Sequence, residues 1–165
     1  MTHSVPLFLV NGNHDGELGW LLNGSNNALP VWATSARQTY FANPKPDGFY
    51  LGDTLKDALT GDRASWYAWQ WGDALFVVLD PYWSSPAQSS KDGWNLTLGD
   101  RQYQWLAKTL ADSQAKHKMI FIHLVGIVII SPYFICCIGI GTDIKGVRVV
   151  QLQGQKGFLN ALGNL

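Results

Sequence analysis

The 165-residue chain is long enough for one domain with a sizeable core and too short to argue for two. Twelve basic and twelve acidic residues cancel, so the composition gives no footprint for nucleic acid or for an anionic membrane surface. Residues 1–6 lack the basic segment of a secretory signal peptide, and the apolar run that follows breaks at Asn11. We therefore expect no signal peptide, and the localisation stays unknown.

The first part of the chain predicts a strand and a helix. The continuous apolar run over residues 5–10 predicts a short strand that is buried on both faces. Residues 12–27 are typical of a loop. Pro30 near a first helical turn, followed by apolar residues at helical spacing, predicts a helix over residues 28–41. The proline- and glycine-rich residues 43–48 then end that helix.

The middle of the chain predicts a β-hairpin. Residues 66–71 are rich in aromatic side chains, and residues 74–80 are almost wholly apolar. Gly72 and Asp73 between them fit a two-residue type II′ turn. Because the second strand is too apolar to face water on either side, we expect it at the centre of a layered fold. The aromatic side chains expected to pack in the core are Trp66, Tyr67, Trp69 and Trp71.

A second helix and a last strand follow the hairpin. Residues 84–95 are polar and predict a loop. Residues 97–100 resemble a capping box with aspartate in its last place, ahead of a helix predicted over residues 100–114. The apolar residues 119–122 predict a buried strand that ends at His123. The order strand, helix, hairpin, helix, strand is typical of a layered α/β or α+β domain.

The chain changes character after Gly126. No Asp, Glu, Lys or Arg occurs from residue 119 through residue 142, and seven of the nine isoleucines follow Gly126. All eight tryptophans, in contrast, precede Leu106. We therefore separate a domain over residues 1–126 from an atypical apolar tail over residues 127–165.

Three interpretations of the tail remain open. The apolar stretch passes the length of roughly 20 residues needed for a membrane span, but glycines and a proline interrupt it. A pair of buried strands around a turn at Ser131 and Pro132 is the second interpretation. The third is an error of reading frame or gene model near Gly126, so that the tail never evolved as protein. Membrane contact of residues 119–141 is the least favoured of the three.

The residues that follow the predicted strand 5–10 could carry chemistry. Gly12, Asn13, His14 and Asp15 place an amide oxygen beside an imidazole at a strand end, where α/β enzymes collect ligands for metals and phosphate. Two metal ions about 3.5–4 Å apart assist phosphoester hydrolysis by activating water and neutralising charge. The alternative is a plain polar loop, because asparagine and aspartate favour turns.

The tetrapeptide resembles the third signature of the calcineurin-like metallophosphoesterases. The resemblance implies that Asn13 is a metal ligand through its side-chain oxygen and that His14 is the catalytic imidazole facing the phosphate. It also implies that Gly12 allows the tight turn and that Asp15 supports the site without touching the metal. The cofactors of the family are two divalent or trivalent ions of Mn, Fe or Zn.

Further segments extend the resemblance over residues 5–126. Residues 69–80 are similar to the hairpin that follows the Asn-His motif in many members of the family, and residues 98–106 are similar to the start of the next helix. Residues 120–126 are similar to the strand that carries a metal-binding histidine, which is His123 in this chain. The fold implied is a fragment of a four-layer αββα sandwich.

Several motifs of the family are absent. The family begins with Asp-x-His and Gly-Asp-x-x-Asp before its Asn-His motif, whereas only eleven residues precede Gly12 here. Residues 52–57 imitate the second of these motifs but follow Asn13 instead of preceding it, and no Gly-His-x-His motif follows His123. Without the bridging aspartate and the last histidines, we expect that two metal ions cannot be held.

We therefore expect a fragment of a binuclear-metal phosphoesterase that is inactive alone. The parent enzyme would hydrolyse phosphomonoesters or phosphodiesters, in small molecules or in macromolecules. The alternative is a binding module on the same scaffold that has lost catalysis. Residues 127–140 would then dock on a partner or on a membrane surface.

Overall fold

The computed structural model describes residues 6–85 and 98–123, together with the backbone of residues 134–136. These residues form two α-helices and a mixed five-stranded sheet, so the α/β class predicted from the sequence is confirmed. The helices are α1 (Leu29–Tyr40) and α2 (Gly99–Asp112). The strands are β1 (Leu51–Gly52), β2 (Tyr67–Trp71), β3 (Ala74–Leu79), β4 (His117–Ile122) and β5 (Phe134–Cys136).

The strands lie in the sheet in the order in which they occur in the chain. β1 and β2 are antiparallel to each other, as are β2 and β3, whereas β3, β4 and β5 run parallel to one another. The predicted hairpin and the central place of its second strand are both confirmed. Gly72 has a φ of 60° and Asp73 does not have a positive φ, which is the pattern of a type II′ turn. β3, α2 and β4 form a βαβ unit, so the ends of two parallel strands meet at one edge.

The two faces of the sheet are packed differently. On one face α2 covers side chains of β3 and β4, and its inward positions lie at helical spacing. On the other face Tyr67 and Trp69 are buried, whereas Phe76 and Phe121 are only partly buried. We call this second side the aromatic face: Tyr67, Trp69, Phe76, Val78 and Phe121. The side chains that form the core under α2 are Leu75, Val77, Leu79, Leu98, Leu106, Leu110, Ile120 and Ile122.

The predicted strand over residues 5–10 is wrong for the residues that the structure describes. Residues 6–10 have no regular secondary structure and lie against the aromatic face. Phe8 stacks on Trp69 with 4.1 Å between ring centroids, and the Tyr67 hydroxyl donates to the Leu9 carbonyl at 2.8 Å. The apolar run therefore indicated burial correctly, but a run of this kind does not determine whether the backbone pairs with another strand.

Two smaller predictions also need correction. The N-cap of α2 is Leu98, which makes no side-chain cap bond, and Asp100 is the second residue of the helix. The helix therefore begins one residue later than the predicted cap at Thr97 implies, and the side-chain bonds of Thr97 itself lie outside the described residues. Trp71 is 70% exposed, because it ends β2 beside the hairpin turn, beyond the two residues that β1 pairs. Trp66, Tyr67 and Trp69 are buried as predicted.

The remaining elements agree closely with the predictions. α1 and α2 occupy the predicted segments, although α2 ends two residues early, and β4 includes the predicted apolar strand. Of the tail, the structure describes only the backbone of β5, and the polar loop from residue 86 onward lies outside the described residues. The interpretations of the tail stay predictions. Neither described helix combines the length and the apolar character that crossing a bilayer needs.

Candidate functional site

The segment Gly12–Asp15 forms a tight turn that its own aspartate closes. The Asp15 N–H donates to the Gly12 carbonyl at 3.2 Å, and the Asp15 carboxylate accepts the Gly12 N–H at 2.5 Å. Asn13 and His14 are therefore held at the tip of the turn. The Asn13 side chain is half-buried, whereas His14 is exposed to solvent.

His123, at the end of β4, contacts this turn through its side chain. It is the first residue after β4, and its Nε2 lies 3.1 Å from Oδ1 of Asn13, 110 residues away in the chain. A Cβ at Gly12 would lie 3.2 Å from Cδ2 and 3.3 Å from Nε2 of His123. Gly12 has no positive φ, so the turn itself does not require glycine. The expected role of Gly12 is corrected accordingly: its missing side chain makes room for the imidazole.

Tyr82 connects the two sides of this contact. Its hydroxyl donates to the His123 carbonyl at 2.7 Å, and its carbonyl accepts the Gly19 N–H at 3.1 Å. Burial, with the nearby negative charges of Asp80 and Asp15, raises the pKa of the Tyr82 phenol to about 12. The phenol is therefore a neutral donor throughout the physiological range.

A buried charge network lies next to Tyr82. Glu17 and Asp80 are the acids, and Arg37 and Arg63 are the bases. Glu17 accepts from Arg37 at 2.5 and 3.1 Å and from Arg63 at 2.6 Å, while Thr34 donates to it at 2.9 Å. All four charged side chains are at most 8% exposed. The network therefore joins the loop after the Asn13 turn to α1 and to the end of β3.

The two carboxylates of the network have different surroundings. Burial by itself raises the pKa of Glu17, but the hydrogen bonds and charges of Arg37 and Arg63 outweigh it and hold the pKa below the ordinary value of 4.5. Asp80 contacts Arg63 at 3.2 Å and also accepts the Tyr82 N–H at 2.9 Å. Asp80 thus links the network to the residue that holds His123.

Sequence reasoning missed most of this network. Glu17, Arg37 and Arg63 were not singled out from the sequence. Their partners are 17 to 46 residues away, so no local spacing reveals them. The signal that could have found them is the low charge content of the chain. Where only 15% of the residues are charged, a charged residue beside an apolar run is a candidate for a buried ion pair.

The donors near His123 fit part of one metal shell. Two ligands that each lie about 2.1 Å from an ion at a right angle are about 3.0 Å apart, which is close to the Asn13–His123 separation of 3.1 Å. A neutral amide oxygen and an imidazole suit ions such as Zn or Mn. Over residues 6–85 and 98–123, no group of three or more His, Cys, Asp or Glu side chains could hold a metal ion. The pair is thus an incomplete donor set.

Comparison with known proteins adds no assignment. No protein-family model, no curated protein and no solved structure matches the chain.

Proposed function

We propose that this chain is part of a calcineurin-like metallophosphoesterase and carries part of its metal site. The parent enzyme hydrolyses phosphomonoesters or phosphodiesters with two ions of Mn, Fe or Zn. In the corresponding four-layer αββα sandwich, a second sheet would pack on the aromatic face. The partly buried rings of Phe76 and Phe121 on that face support this arrangement, since a sheet that is apolar on both faces must be covered on both.

The observation that carries the proposal is the contact between Asn13 and His123. The two residue types were expected as metal ligands from separate motifs, and their ligating atoms lie 3.1 Å apart. The contact is a hydrogen bond between side chains 110 positions apart in the chain. As ligands of one ion they would meet in this geometry, because both must reach the same centre.

The residues of the turn then have distinct roles. Asn13 supplies an oxygen donor without adding negative charge, and His123 supplies a nitrogen donor from the end of β4. The exposed imidazole of His14, adjacent to Asn13, is free to hydrogen-bond a phosphoryl oxygen or to protonate the leaving alkoxide. Asp15 holds the turn through the Gly12 N–H. When bound, the metal ions activate water and neutralise charge on the phosphoryl oxygens.

Metal binding by the whole chain tests the proposal. Mn²⁺ titration followed by electron paramagnetic resonance measures how much of the ion is bound. We expect weak binding of one ion, which Asn13→Ala and His123→Ala abolish. His117→Ala is the matched control, because His117 begins the same strand and is exposed. Binding that survives both ligand substitutions, or no binding by the wild-type chain, would overturn the assignment.

Catalysis gives a second test. Because the donor set is incomplete, we expect no hydrolysis of bis-p-nitrophenyl phosphate above the Mn²⁺ background. Enzymatic rates that His14→Ala abolishes would show that the chain completes the site by itself and is not an inactive fragment.

A further inference from the structure

The ends of β3 and β4 carry a second polar contact beside the proposed metal ligands. Leu79 of β3 pairs with Ile122 of β4 in the parallel ladder, and the chain continues to Tyr82 on one side and to His123 on the other. The His123 carbonyl lies beyond the ladder. Its acceptor capacity is used by the Tyr82 hydroxyl at 2.7 Å. A hydrogen bond thus fixes the backbone from which the imidazole projects.

Tyr82 is itself held firmly. Its N–H donates to Asp80 at 2.9 Å, and its carbonyl accepts the N–H groups of Gly19 and Ser85 at 3.1 and 3.2 Å. Its ring meets the edge of the Trp20 ring at 6.4 Å between centroids. Tyr82 is only 7% exposed. A side chain held in this way can transmit the position of one segment to another.

The Gly19 contact leads back to the Asn13 turn. A Cβ at Gly19 would lie 1.8 Å from the Trp83 carbonyl oxygen, so the loop and the end of β3 are in close contact. Glu17, two residues before Gly19, is bonded to Arg63, which also bonds Asp80. The loop that bears Asn13 and the strand end that bears Tyr82 are therefore joined at two points.

We propose that Tyr82 is a positioning residue that sets the separation of Asn13 and His123. Its hydroxyl fixes His123, its backbone fixes the loop that follows Asn13, and the two donor atoms are thereby brought within 3.1 Å of each other. The inference rests on the proposed function for its consequence in metal binding, but not for the geometry itself. Residues that orient metal ligands commonly change affinity by about 10–100-fold when they are replaced.

The chain provides a closely matched control for this residue. Tyr67 is also buried, and its hydroxyl also donates to a backbone carbonyl, that of Leu9, at 2.8 Å. Tyr82→Phe and Tyr67→Phe each remove one buried hydroxyl and keep the ring. Both variants should therefore lose similar thermal stability. Only Tyr82→Phe removes a bond to His123.

Two measurements on the whole chain test the inference. The first is the ¹H–¹⁵N spectrum of the histidine rings without metal, in which His123→Gln assigns the signal. We expect the His123 ring signals to move in Tyr82→Phe and to stay in place in Tyr67→Phe. The second is Mn²⁺ affinity, which should fall about tenfold or more in Tyr82→Phe and stay at the wild-type value in Tyr67→Phe.

The outcomes separate the two proposals. Unmoved His123 signals in Tyr82→Phe, or equal movement in both variants, would overturn the positioning role whatever the metal data show. If the His123 signals move in Tyr82→Phe but the wild-type chain binds no Mn²⁺, the positioning role is upheld and the metal site is removed. Wild-type binding with equal affinity in Tyr82→Phe would uphold the metal site and remove the inference.

Discussion

The charge network and the Asn13–His123 contact are two polar clusters joined at the ends of β3 and β4, and they are built in opposite ways. In the network each carboxylate is buried and has several partners, with Glu17 accepting from three side chains. In the second cluster Asn13 and His123 are half-buried and share one contact, and His14 beside them is exposed.

The degree of burial determines whether a polar group mainly stabilises the fold or is available for binding. A buried charge must be compensated within the protein, because its desolvation is costly. A half-buried pair such as Asn13 and His123 lies within reach of a ligand from solvent. The network should therefore control the free energy of unfolding, whereas the pair should control ligand affinity. Substitutions in each cluster test that division.

The largest expected effect is that of Arg63→Leu on stability. Arg63 is the cation that contacts Asp80, and it also contacts Glu17, so its removal leaves a buried carboxylate uncompensated. We expect the free energy of unfolding in urea to fall by about 3 kcal/mol or more. Arg101→Leu is the control, because Arg101 is 46% exposed and pairs with Asp53 at the surface. That variant should lose under about 1 kcal/mol. Equal losses would contradict the distinction between the clusters.

Acid should weaken the network through Glu17. Because the folded-state pKa of Glu17 is lowered, its stabilising contribution is complete above the ordinary value of 4.5 and is lost as the pH falls through the lowered pKa. Glu17→Gln should therefore be less stable than wild type at pH 7. This gap, the difference in free energy of unfolding between the two proteins, should become smaller as the pH falls. Urea unfolding at a series of pH values measures the gap. A gap that stays constant down to pH 3 would show that the charge of Glu17 does not contribute.

A smaller effect on stability is expected at Gly12, with a clear effect on binding. Gly12→Ala places a Cβ 3.2 Å from the His123 ring, so the imidazole must shift. We expect Mn²⁺ affinity to fall about tenfold, with under about 1 kcal/mol lost in the free energy of unfolding. Gly24→Ala should instead lower the free energy of unfolding and leave Mn²⁺ affinity unchanged. Gly24 has open space around it, but its φ of 77° is unfavourable for alanine. The same behaviour in both variants would contradict the close-approach role of Gly12.

The smallest effect is expected for His14→Ala. The side chain is exposed, so the free energy of unfolding should change by no more than about 0.5 kcal/mol. Mn²⁺ affinity should also stay at the wild-type value, because His14 is proposed to face the substrate and not the metal. A loss of affinity as large as that of His123→Ala would show that His14 is a ligand.

Local patterns explain which parts of the fold the sequence could predict. Helical spacing defined α1 and α2, and a glycine that can adopt positive φ defined the hairpin turn at Gly72. Residues 6–10 were predicted wrongly as a strand, because an apolar run reports burial and not backbone pairing. Cross-chain contacts such as Glu17 with Arg63 leave no local pattern at all.

The sequence motifs could predict which residues belong to the candidate site, but not how those residues contact one another. The motif at Asn13 and the strand end at His123 were identified from their similarity to a family, and no spacing rule joined them. The contributions of Tyr82 and of the missing side chain of Gly12 depend on how two distant segments approach each other. Such contacts emerge only from the packed sheet.

The most direct measurement is an anomalous difference map from crystals of the whole chain grown with Mn²⁺. We expect a peak about 2.1 Å from both Asn13 Oδ1 and His123 Nε2, with Tyr82 still bonded to the His123 carbonyl. Crystals in which these two side chains stay in direct contact while Mn²⁺ is absent, or is bound elsewhere, would contradict it.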